Sequence, residues 1–538
     1  MDILNEKGVK VQSIKGISYV YRDKPYWDKD KKQNRHNREY IGKLDKDGAF
    51  VPNKKHKHSQ SKPEKSEMAT GNLSIAERKY CGATILLDFI ARDSGLEDDL
   101  YTAFGVRVAQ KILSLAYFLT LENESSMYRF EKFAKTHDHP HGKVIASQRI
   151  SEIFSSISEA EKVTFFRLRA LRCLEEEHLV YDTTSISSYS EMMDIVRYGK
   201  NKDLEDLPQI NLALAIGEKS LTPAYYRKLP GNISDVSTIE KLLLDMDYIG
   251  IKTAKFVLDR GFFSKDNINA LFRKKHKFII AVRANTNLYK NFIDEIRDSI
   301  KGFVNYSDEL DIYSTSKKST WEYEFTDKSG NKVTRAKQIF LLGYYDGARA
   351  EKEKTDFLKK LKIAKAAVLR NDATTAQINL VKSFFTTEHP NDEQIIVGEH
   401  DQTAINSHMA TFGYFMLLSN HMENPEKALK LYRNKDVAEK AFCNLKQRLD
   451  MKRCKVNSED SLEGKLFVQF VALSFITRIH LVMSQNGLYK NYTISSLLDE
   501  LDVIEIYRFK NRKPHFSEIT KKQAVIFSAF GADIMSTL

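Results

Sequence analysis

The sequence predicts a mixed α/β protein in which a central sheet is flanked by helical regions. Between His178 and Val282, short apolar runs with strand character alternate with stretches of helical period. Three strands, a helix, a strand, a helix and a strand follow one another there, which indicates a sheet with antiparallel and parallel parts. Apolar residues recur at helical spacing over residues 74–177 and again from Pro425 onward, so these two parts are expected to be helical.

The composition is that of a protein with a packed core. Hydrophobic residues make up 42% of the 538 residues, which is enough to exclude general intrinsic disorder. Only 23 Gly and 10 Pro are present, so a collagen-like or linker-dominated chain is also excluded. The four cysteines have neither zinc-finger spacing nor the density of a disulfide scaffold. We therefore expect a reduced, cytoplasmic protein.

No segment predicts a membrane anchor. The first ten residues, MDILNEKGVK, lack the apolar stretch of a secretory signal. The most apolar helix, Leu466–Met483, is interrupted by Gln469, Thr477, Arg478 and His480, whereas a bilayer span needs about 20 mostly apolar residues. This segment is predicted to be a core helix.

The chain carries a basic excess that bears on its partners. Its 84 Lys and Arg against 72 Asp and Glu give a formal charge of +12 at pH 7. Residues 22–65 alone hold 14 basic and 7 acidic residues, a net charge of +7. Such an excess favours a polyanionic partner, of which nucleic acid is the first candidate, and a solvated basic arm is the alternative.

Changes in composition and period divide the chain into regions. In chain order we expect a small β-rich basic region 1–52, a polar linker 53–73, a helical region 74–177, a sheet region 178–289 that resumes at 405–450, an inserted β-rich region 290–404 and a helical C-terminal region 451–538. No phosphate-binding glycine motif is present, so nucleotide chemistry is not indicated.

Two acidic residues stand in apolar strands of the predicted sheet. Asp182 lies within YDTTSIS, and Asp259 ends the strand in VLDRGFF, where Arg260 and Gly261 turn the chain. A carboxylate in an otherwise buried strand costs desolvation free energy unless it is paired or binds a cation. Each could be a strand-end cap or a salt-bridge partner, whereas together they indicate a metal site.

A third acidic residue lies on a helix predicted between Tyr432 and Lys446. At about 100° per residue, five side chains share one narrow sector of this helix. They are Tyr432, Lys435, Glu439, Phe442 and Lys446. The face therefore combines one acid with two cations and two aromatic rings. An i,i+4 pair of Lys435 and Glu439 on a solvated face is the alternative explanation.

These motifs, taken in order, resemble the DDE transposases of bacterial insertion sequences. The order is YDTTS, then GNISD-x-x-T, then VLDRGF-x-S, then Y-x2-K-x3-E-x2-F-x3-K. The matching group has an RNase H-like core that is split by an insertion, and it carries a Y-(2)-R-(3)-E-(6)-K signature. The resemblance covers about Val180–Lys446, and its specific part is the set of three acids.

The resemblance implies that Asp182, Asp259 and Glu439 are the catalytic acids and the ligands of two Mg²⁺ or Mn²⁺ ions. Two ions about 4 Å apart would clamp the attacking and leaving oxygens of a phosphodiester displacement. Water would first cut a strand, and the new 3′-OH would then attack target DNA. The regions 178–289 and 405–450 would be the RNase H-like catalytic core, and 290–404 its insertion domain.

The resemblance also suggests which residues bind DNA. The candidates are Arg260, Tyr432, Lys435, Lys446 and Trp321. Lys435 stands where the signature has Arg, so it keeps the charge but loses the bidentate fork. Trp321 could stack on an unpaired base, with a packed core ring as the alternative.

The expected partner is double-stranded DNA, both the inverted repeats at the transposon ends and the target. The helices of 74–177 would form a DNA-binding domain together with the basic residues 22–65. Because transposition joins two ends, we expect a homodimer on paired ends, without a membrane, in the bacterial cytoplasm at the nucleoid.

Three other functions compete with transposition. An RNase H-like nuclease would use the same acids without strand transfer, and a catalytically inactive protein would only bind DNA. A glycosidase with paired carboxylates is a distant third possibility, because it does not account for the basic excess.

Overall fold

The computed structural model describes residues 4, 8–14, 16–28, 33–53, 75–123, 126–174, 177–190, 193–326, 329–391, 394–449, 451–454, 456, 458–509 and 512–532. The chain divides into two compact units, Met1–Leu73 and Ser74–Leu538. The predicted linker 53–73 lies outside the described residues except for Asn53.

In its described part, the first unit is a four-stranded antiparallel sheet. The strands are β1 (Val9–Ile14), β2 (Ile17–Asp28), β3 (Gln33–Leu44) and β4 (Phe50–Pro52), and each pairs with the next. The turn before β4 contains Asp47 and Gly48, as predicted, and Gly48 has a φ of +82°, which glycine adopts without strain. The buried carboxylate of Asp23 accepts a hydrogen bond from the Lys10 ammonium at 2.7 Å and contacts His36 at 3.0 Å. The strands predicted in this region are therefore confirmed.

The second unit begins with a strand and a group of helices. The elements are β5 (Ile75–Tyr80), α1 (Gly82–Asp93), α2 (Leu96–Phe104), α3 (Val106–Leu121), α4 (Phe130–Thr136), α5 (Ser147–Ser156) and α6 (Glu159–Leu174). Arg169 of α6 is buried, and its guanidinium contacts Asp99 of α2 at 3.2 Å. For this region the sequence predicted only helices, so the strand β5 was not predicted.

Among the described residues, nine strands form a mixed sheet in the second unit. They are β6 (Leu179–Ser187), β7 (Gln209–Gly217), β8 (Pro223–Pro230), β9 (Lys255–Leu258), β10 (Lys277–Ala281), β11 (Tyr306–Ser307), β12 (Ile312–Thr326), β13 (Lys332–Tyr345) and β16 (Tyr414–Ser419). Their order across the sheet is β11-β12-β13-β16-β10-β9-β6-β7-β8. The pairs β6–β9 and β9–β10 are parallel, and the other pairs are antiparallel. The predicted mixed α/β fold is confirmed.

Helices connect the strands of this sheet where the sequence predicts them. They are α7 (Thr238–Tyr248), α8 (Lys265–Arg273) and α9 (Asn287–Ile296). Ser264 caps α8, and its hydroxyl accepts the backbone N–H of Asn267 at 3.1 Å. These helices cover strands that are almost wholly buried, so the few polar residues in the strands stand out.

The first strands of the region 290–404 extend the same sheet, and the assignment of this region as an insertion domain stays a prediction. The predicted strand pieces between Ile312 and Tyr344 form two long strands, β12 and β13. The apolar end of β13 pairs with β16, from Phe340 opposite Ser419 to Tyr345 opposite Tyr414. This pairing brings the segment into the sheet.

The rest of that region packs around small cores of its own. It consists of α10 (Gly347–Leu369), α11 (Thr375–Phe384), β14 (Phe385–Asn391), β15 (Gln394–His400) and α12 (Gln402–Met409). The strand predicted over Met409–Leu418 begins only at Tyr414, since α12 extends to Met409.

Two helices follow β16, α13 (Pro425–Arg433) and α14 (Asp436–Gln447). The C-terminal region 451–538 is not wholly helical, and its elements are α15 (Glu459–Gln485), α16 (Ile494–Asp502), β17 (Glu505–Phe509), β18 (His515–Phe516) and α17 (Lys521–Ala529). The strand β17 pairs with β5 and with β18. These strands were not predicted from the sequence, because β5 and β17 pair with each other although more than 400 residues separate them in the chain.

The long apolar helix α15 is a core helix, as predicted. By length and composition it could cross a membrane, but 83% of its most apolar window is buried inside the protein. Gly464 of α15 lies so close to Phe154 of α5 that a Cβ there would be 2.3 Å from the Phe154 backbone. Its apolar character is therefore explained by burial.

Candidate active site

Asp182 and Asp259 lie side by side on neighbouring strands. Tyr181 of β6 pairs with Leu258 of β9 in parallel register, so the two aspartates follow at the same level. Paired strands are about 4.8 Å apart. Asp182 is the one residue of β6 that is not fully buried, and Asp259 directly follows the last residue of β9 with an extended backbone. The sheet therefore brings together two of the three predicted acids.

Helix α14 covers the face of the sheet on which these acids lie. Its buried Ala438 packs against Val180 of β6 and Val257 of β9. Residues two apart in an extended strand point to the same side, so Asp182 and Asp259 share the side of these two valines. The predicted helix and the predicted strands thus meet at one place.

The carboxyl group of Asp182 is poorly solvated. Its side chain is 26% exposed, and its Oδ1 accepts the backbone N–H of Thr183 at 2.8 Å. Burial raises the pKa of Asp182 to about 6, the Lys202 ammonium opposes the rise, and the charges of Asp235 and Asp259 add to it. A carboxylate in this environment gains stability from any added positive charge.

Asp259 lies in the opposite electrostatic environment. The Tyr432 hydroxyl donates to its Oδ1 at 2.6 Å, and the Lys435 ammonium lies 3.2 Å from the same atom. Burial favours the neutral acid, but these two contacts together hold the pKa of Asp259 below its usual value. Asp259 is therefore ionised well below neutral pH.

The prediction of one continuous helix between Tyr432 and Lys446 is wrong, because the structure has two helices there. Helix α13 ends at Arg433 and α14 begins at Asp436. Between them the backbone N–H of Lys435 donates to the Tyr432 carbonyl at 3.1 Å, which closes a tight turn. The five residues of the predicted helical face therefore do not lie on one straight helix.

Glu439 is exposed in the first turn of α14. Among the described residues, no group of three or more His, Cys, Asp and Glu side chains is close enough to hold a metal ion. The structure brings Asp182 and Asp259 together but does not add Glu439 to them. The site of three acids stays a prediction.

The remaining predicted DNA-binding residues lie in different surroundings. Lys446 contacts both carboxylate oxygens of Asp203, at 2.8 and 2.6 Å. Arg260 is exposed, and within the described residues its guanidinium has no ion-pair partner. The half-buried Trp321 donates its indole N–H to Oδ1 of Asn269 at 2.8 Å. Trp321 thus packs on the protein, and its role in base stacking stays a prediction.

A cavity of about 360 Å³ opens beside Asp259. Three cationic side chains line it together with that carboxylate: Arg260, Arg349 and Lys435. Arg349 belongs to α10, and sequence reasoning missed it because that helix was assigned to an insertion. A cavity that combines one carboxylate with three cations can hold a phosphate group next to the acid.

Two further residues at the site were not singled out from the sequence. Asp235 accepts a hydrogen bond from the Thr183 hydroxyl at 2.5 Å, and Lys202 lies 3.3 Å from the Asp235 carboxylate. Asp235 is the acid of the GNISD motif, which could have marked it. Lys202 lies in a polar loop, and no sequence pattern points to it.

Comparison with known proteins identifies the family. Residues 174–475, more than half of the chain, match the family model of the transposase DDE domain. The chain belongs to this family. The matched segment of this DDE transposase includes Asp182, Asp235, Asp259 and Glu439. The predicted resemblance to DDE transposases is thereby confirmed.

Other comparisons add little to the family assignment. No curated protein matches the chain. One similar solved structure is the cryo-EM structure of a piggyBac transposase synaptic complex with hairpin DNA. It is 11% identical, with a TM-score of 0.33, and the match covers 78% of this chain and 76% of that chain. This similarity is too low to define a shared fold.

Proposed function

We propose that this chain cleaves DNA at transposon ends and joins those ends to target DNA. The observation that carries the proposal is the position of Asp182 and Asp259, side by side on parallel strands within the matched DDE domain. We also propose that β6 to β10 form an RNase H-like core. Three antiparallel strands followed by two parallel ones support this assignment.

The acids at this site fit hard divalent cations. Asp182 and Asp259 offer only carboxylate oxygens, which are the ligands that Mg²⁺ and Mn²⁺ prefer. Asp182, Asp259 and Glu439 would hold two such ions, which would supply the Lewis acidity that activates water for cleavage and then the 3′-OH for strand transfer. Glu439 follows Ala438, the residue of α14 that contacts the strands of both aspartates.

The protein's own cations are suited to holding the DNA strand at these acids. Arg260, Arg349 and Lys435 line one cavity with Asp259, so a phosphodiester there would be bound next to the reacting centre. Tyr432 orients the Asp259 carboxylate through its hydrogen bond. A direct displacement at phosphorus needs no covalent link between protein and DNA.

The proposed partner is double-stranded DNA, as inverted repeats at the transposon ends and as target. The basic residues 22–65 and the helices of 74–177 would contribute to binding of the ends. A homodimer on paired ends would carry out the joining step, in the bacterial cytoplasm at the nucleoid.

A nicking assay on DNA that carries the transposon end tests the proposal. Asp182→Asn, Asp259→Asn and Glu439→Gln should each abolish Mg²⁺-dependent cleavage while DNA binding persists. Asp356→Asn, which neutralises an exposed acid on α10, is the matched control and should cleave normally. Cleavage at the wild-type rate by any of the three variants would show that the site assignment is wrong.

The same preparation separates transposition from its alternatives. A precleaved end with a free 3′-OH should be joined to target DNA by the wild-type protein. Nicking without joining would indicate an RNase H-like nuclease. Absence of Mg²⁺-dependent nicking would indicate a catalytically inactive DNA-binding protein.

A further inference from the structure

The side chain of Lys202 lies among the acids of the site. Its Nζ donates to the carbonyl and to the hydroxyl of Thr183, both at 2.7 Å. The same ammonium lies 3.3 Å from Asp235 and 3.8 Å from Asp182. A positive charge of the protein's own therefore lies beside Asp182, which we assign to a divalent cation, and beside the neighbouring Asp235.

The next residue, Asp203, neutralises a predicted DNA-binding cation. Its two carboxylate oxygens lie 2.8 and 2.6 Å from the Lys446 ammonium. The Lys446 side chain is only 14% exposed in this pair. Two anionic oxygens on one ammonium reproduce the way in which a phosphate group would be bound there.

The loop that carries both residues is fastened along β6. The backbone N–H of Lys202 donates to the hydroxyl of Ser185 at 3.1 Å, and Asn201 donates to the hydroxyl of Ser187 at 3.1 Å. Further along, Glu205 pairs with Arg453 at 2.7 Å. The loop is therefore held at both ends while its two charged residues face the site.

We propose that Lys202 and Asp203 are an internal competitor for both ligands of the site. Lys202 competes with the divalent cation at Asp182, and Asp203 competes with a DNA phosphate at Lys446. The proposal rests on the proposed function, since it takes Asp182 as a metal ligand and Lys446 as a DNA contact.

The competition follows from charge and distance. A cation within about 4 Å of a carboxylate repels a second cation that approaches the same oxygens. Metal binding therefore requires the Lys202 ammonium to withdraw. In the same way, a DNA phosphate can reach Lys446 only when the Asp203 carboxylate releases it.

The competition between Lys202 and the metal ion is tested by titrating the full-length protein with Mn²⁺ in the absence of DNA. Binding of Mn²⁺ is monitored by electron paramagnetic resonance. We expect Lys202→Met to bind Mn²⁺ about tenfold more tightly than the wild type, because the competing charge is gone. Lys200→Met, which removes an exposed charge two residues away, is the matched control and should leave the affinity unchanged. Lys202→Gln is a second variant, for use if Lys202→Met fails to fold.

Unchanged or weaker Mn²⁺ binding by the folded Lys202 variant overturns the proposal. The same titration on Asp182→Asn separates this failure from that of the proposed function. If Asp182→Asn weakens Mn²⁺ binding and Lys202→Met does not strengthen it, only the competitor is refuted. If neither the wild type nor the Lys202 variant binds Mn²⁺, both proposals fail.

The competition between Asp203 and a DNA phosphate is tested by fluorescence anisotropy. The probe is a short DNA duplex of arbitrary sequence, and a chelator is present to remove metal ions. Asp203→Asn should bind the duplex more tightly, and the salt dependence should steepen by about one phosphate contact, because Lys446 is released. Asp206→Asn, in the same loop, is the matched control. The double variant Asp203→Asn/Lys446→Gln should behave like Lys446→Gln. An unchanged slope for Asp203→Asn overturns the proposal.

Discussion

The hydroxyl of Tyr432 donates to Oδ1 of Asp259 at 2.6 Å and so joins residues 173 positions apart. Tyr432 is the penultimate residue of α13, and Asp259 directly follows β9, so this bond joins α13 to the centre of the sheet. The same contact stabilises the carboxylate form of Asp259, while burial raises the pKa of Tyr432 and the nearby charge of Asp259 adds to the rise. One hydrogen bond thus links the packing of α13 to the ionisation of a proposed catalytic acid.

Tyr432→Phe should destabilise the fold by about 1.5 kcal/mol at pH 7, since it removes a hydrogen bond to a charged group. The pKa of Asp259 is lowered in the folded state, so its contribution is present above the unfolded pKa and is lost as pH falls through the folded pKa. The difference between variant and wild type should therefore shrink towards acidic pH. Urea unfolding at a series of pH values measures it. Tyr248→Phe, on an exposed tyrosine, is the control, and a pH-independent difference would contradict the assignment.

Asp182→Asn should stabilise the metal-free protein at neutral pH. Burial raises the pKa of Asp182 to about 6, so the folded state binds more protons than the unfolded state between the two pKa values. Stability is then lost as pH rises through that range, and ionisation at pH 7 costs about 3 kcal/mol. The asparagine variant avoids this cost.

Thermal unfolding in the presence of a chelator, carried out at an experimental pH of about 7.5 and again at about 4, measures the effect of Asp182→Asn. At the upper pH we expect the variant to have a higher midpoint than the wild type. At the lower pH we expect no difference between the two midpoints, because the wild-type carboxyl is then protonated and uncharged as well. Addition of Mn²⁺ should raise the midpoint of the wild type alone. A variant less stable than the wild type at both pH values would show that Asp182 is mainly structural.

The sequence was sufficient to locate features set by local pattern. Asp182 and Asp259 were found because each interrupts or ends a run of large apolar residues, and such runs form buried strands in any context. The helix cap at Ser264 was equally local. Predictions of this kind depend on a few neighbouring side chains, and the structure confirms the two strands and the helix cap.

Features that depend on distant partners were missed. The break at Asn434 and Lys435 arises because Tyr432 contacts Asp259 while Ala438 packs on Val180, and a continuous helix was assumed there. Lys202 belongs to a polar loop whose importance comes only from contacts with Thr183 and the acids beyond it. No local period encodes contacts of this kind.

Arg349→Ala should weaken binding of duplex DNA and reduce the salt dependence by about one phosphate contact, because Arg349 lines the basic cavity beside Asp259. Arg370→Ala removes an exposed charge at the other end of α10 and is the matched control. Fluorescence anisotropy over a range of salt concentrations gives both slopes. Equal slopes for the two variants would exclude a phosphate at this cavity.

Asp99→Ala should be the most destabilising of these substitutions. Its carboxylate binds the buried guanidinium of Arg169 at 3.2 Å and that of Arg172 at 2.8 Å. Removing one partner leaves a buried, uncompensated charge on Arg169, which costs about 3–5 kcal/mol. Asp98→Ala is a close control, because Asp98 is exposed in the same first turn of α2 and shares the effect of the helix dipole.

Urea unfolding of the two alanine variants separates the buried pair from the helix terminus. Asp98→Ala should cost about 0.5 kcal/mol, since an exposed acid near a helix N-terminus contributes little. A similar small loss for Asp99→Ala would mean that Arg169 is solvated or neutral in the folded protein. A large loss for Asp99→Ala alone supports an ion pair that joins α2 to α6, and the double variant Asp99→Ala/Arg169→Met should then recover part of the stability, because no buried charge remains at position 169.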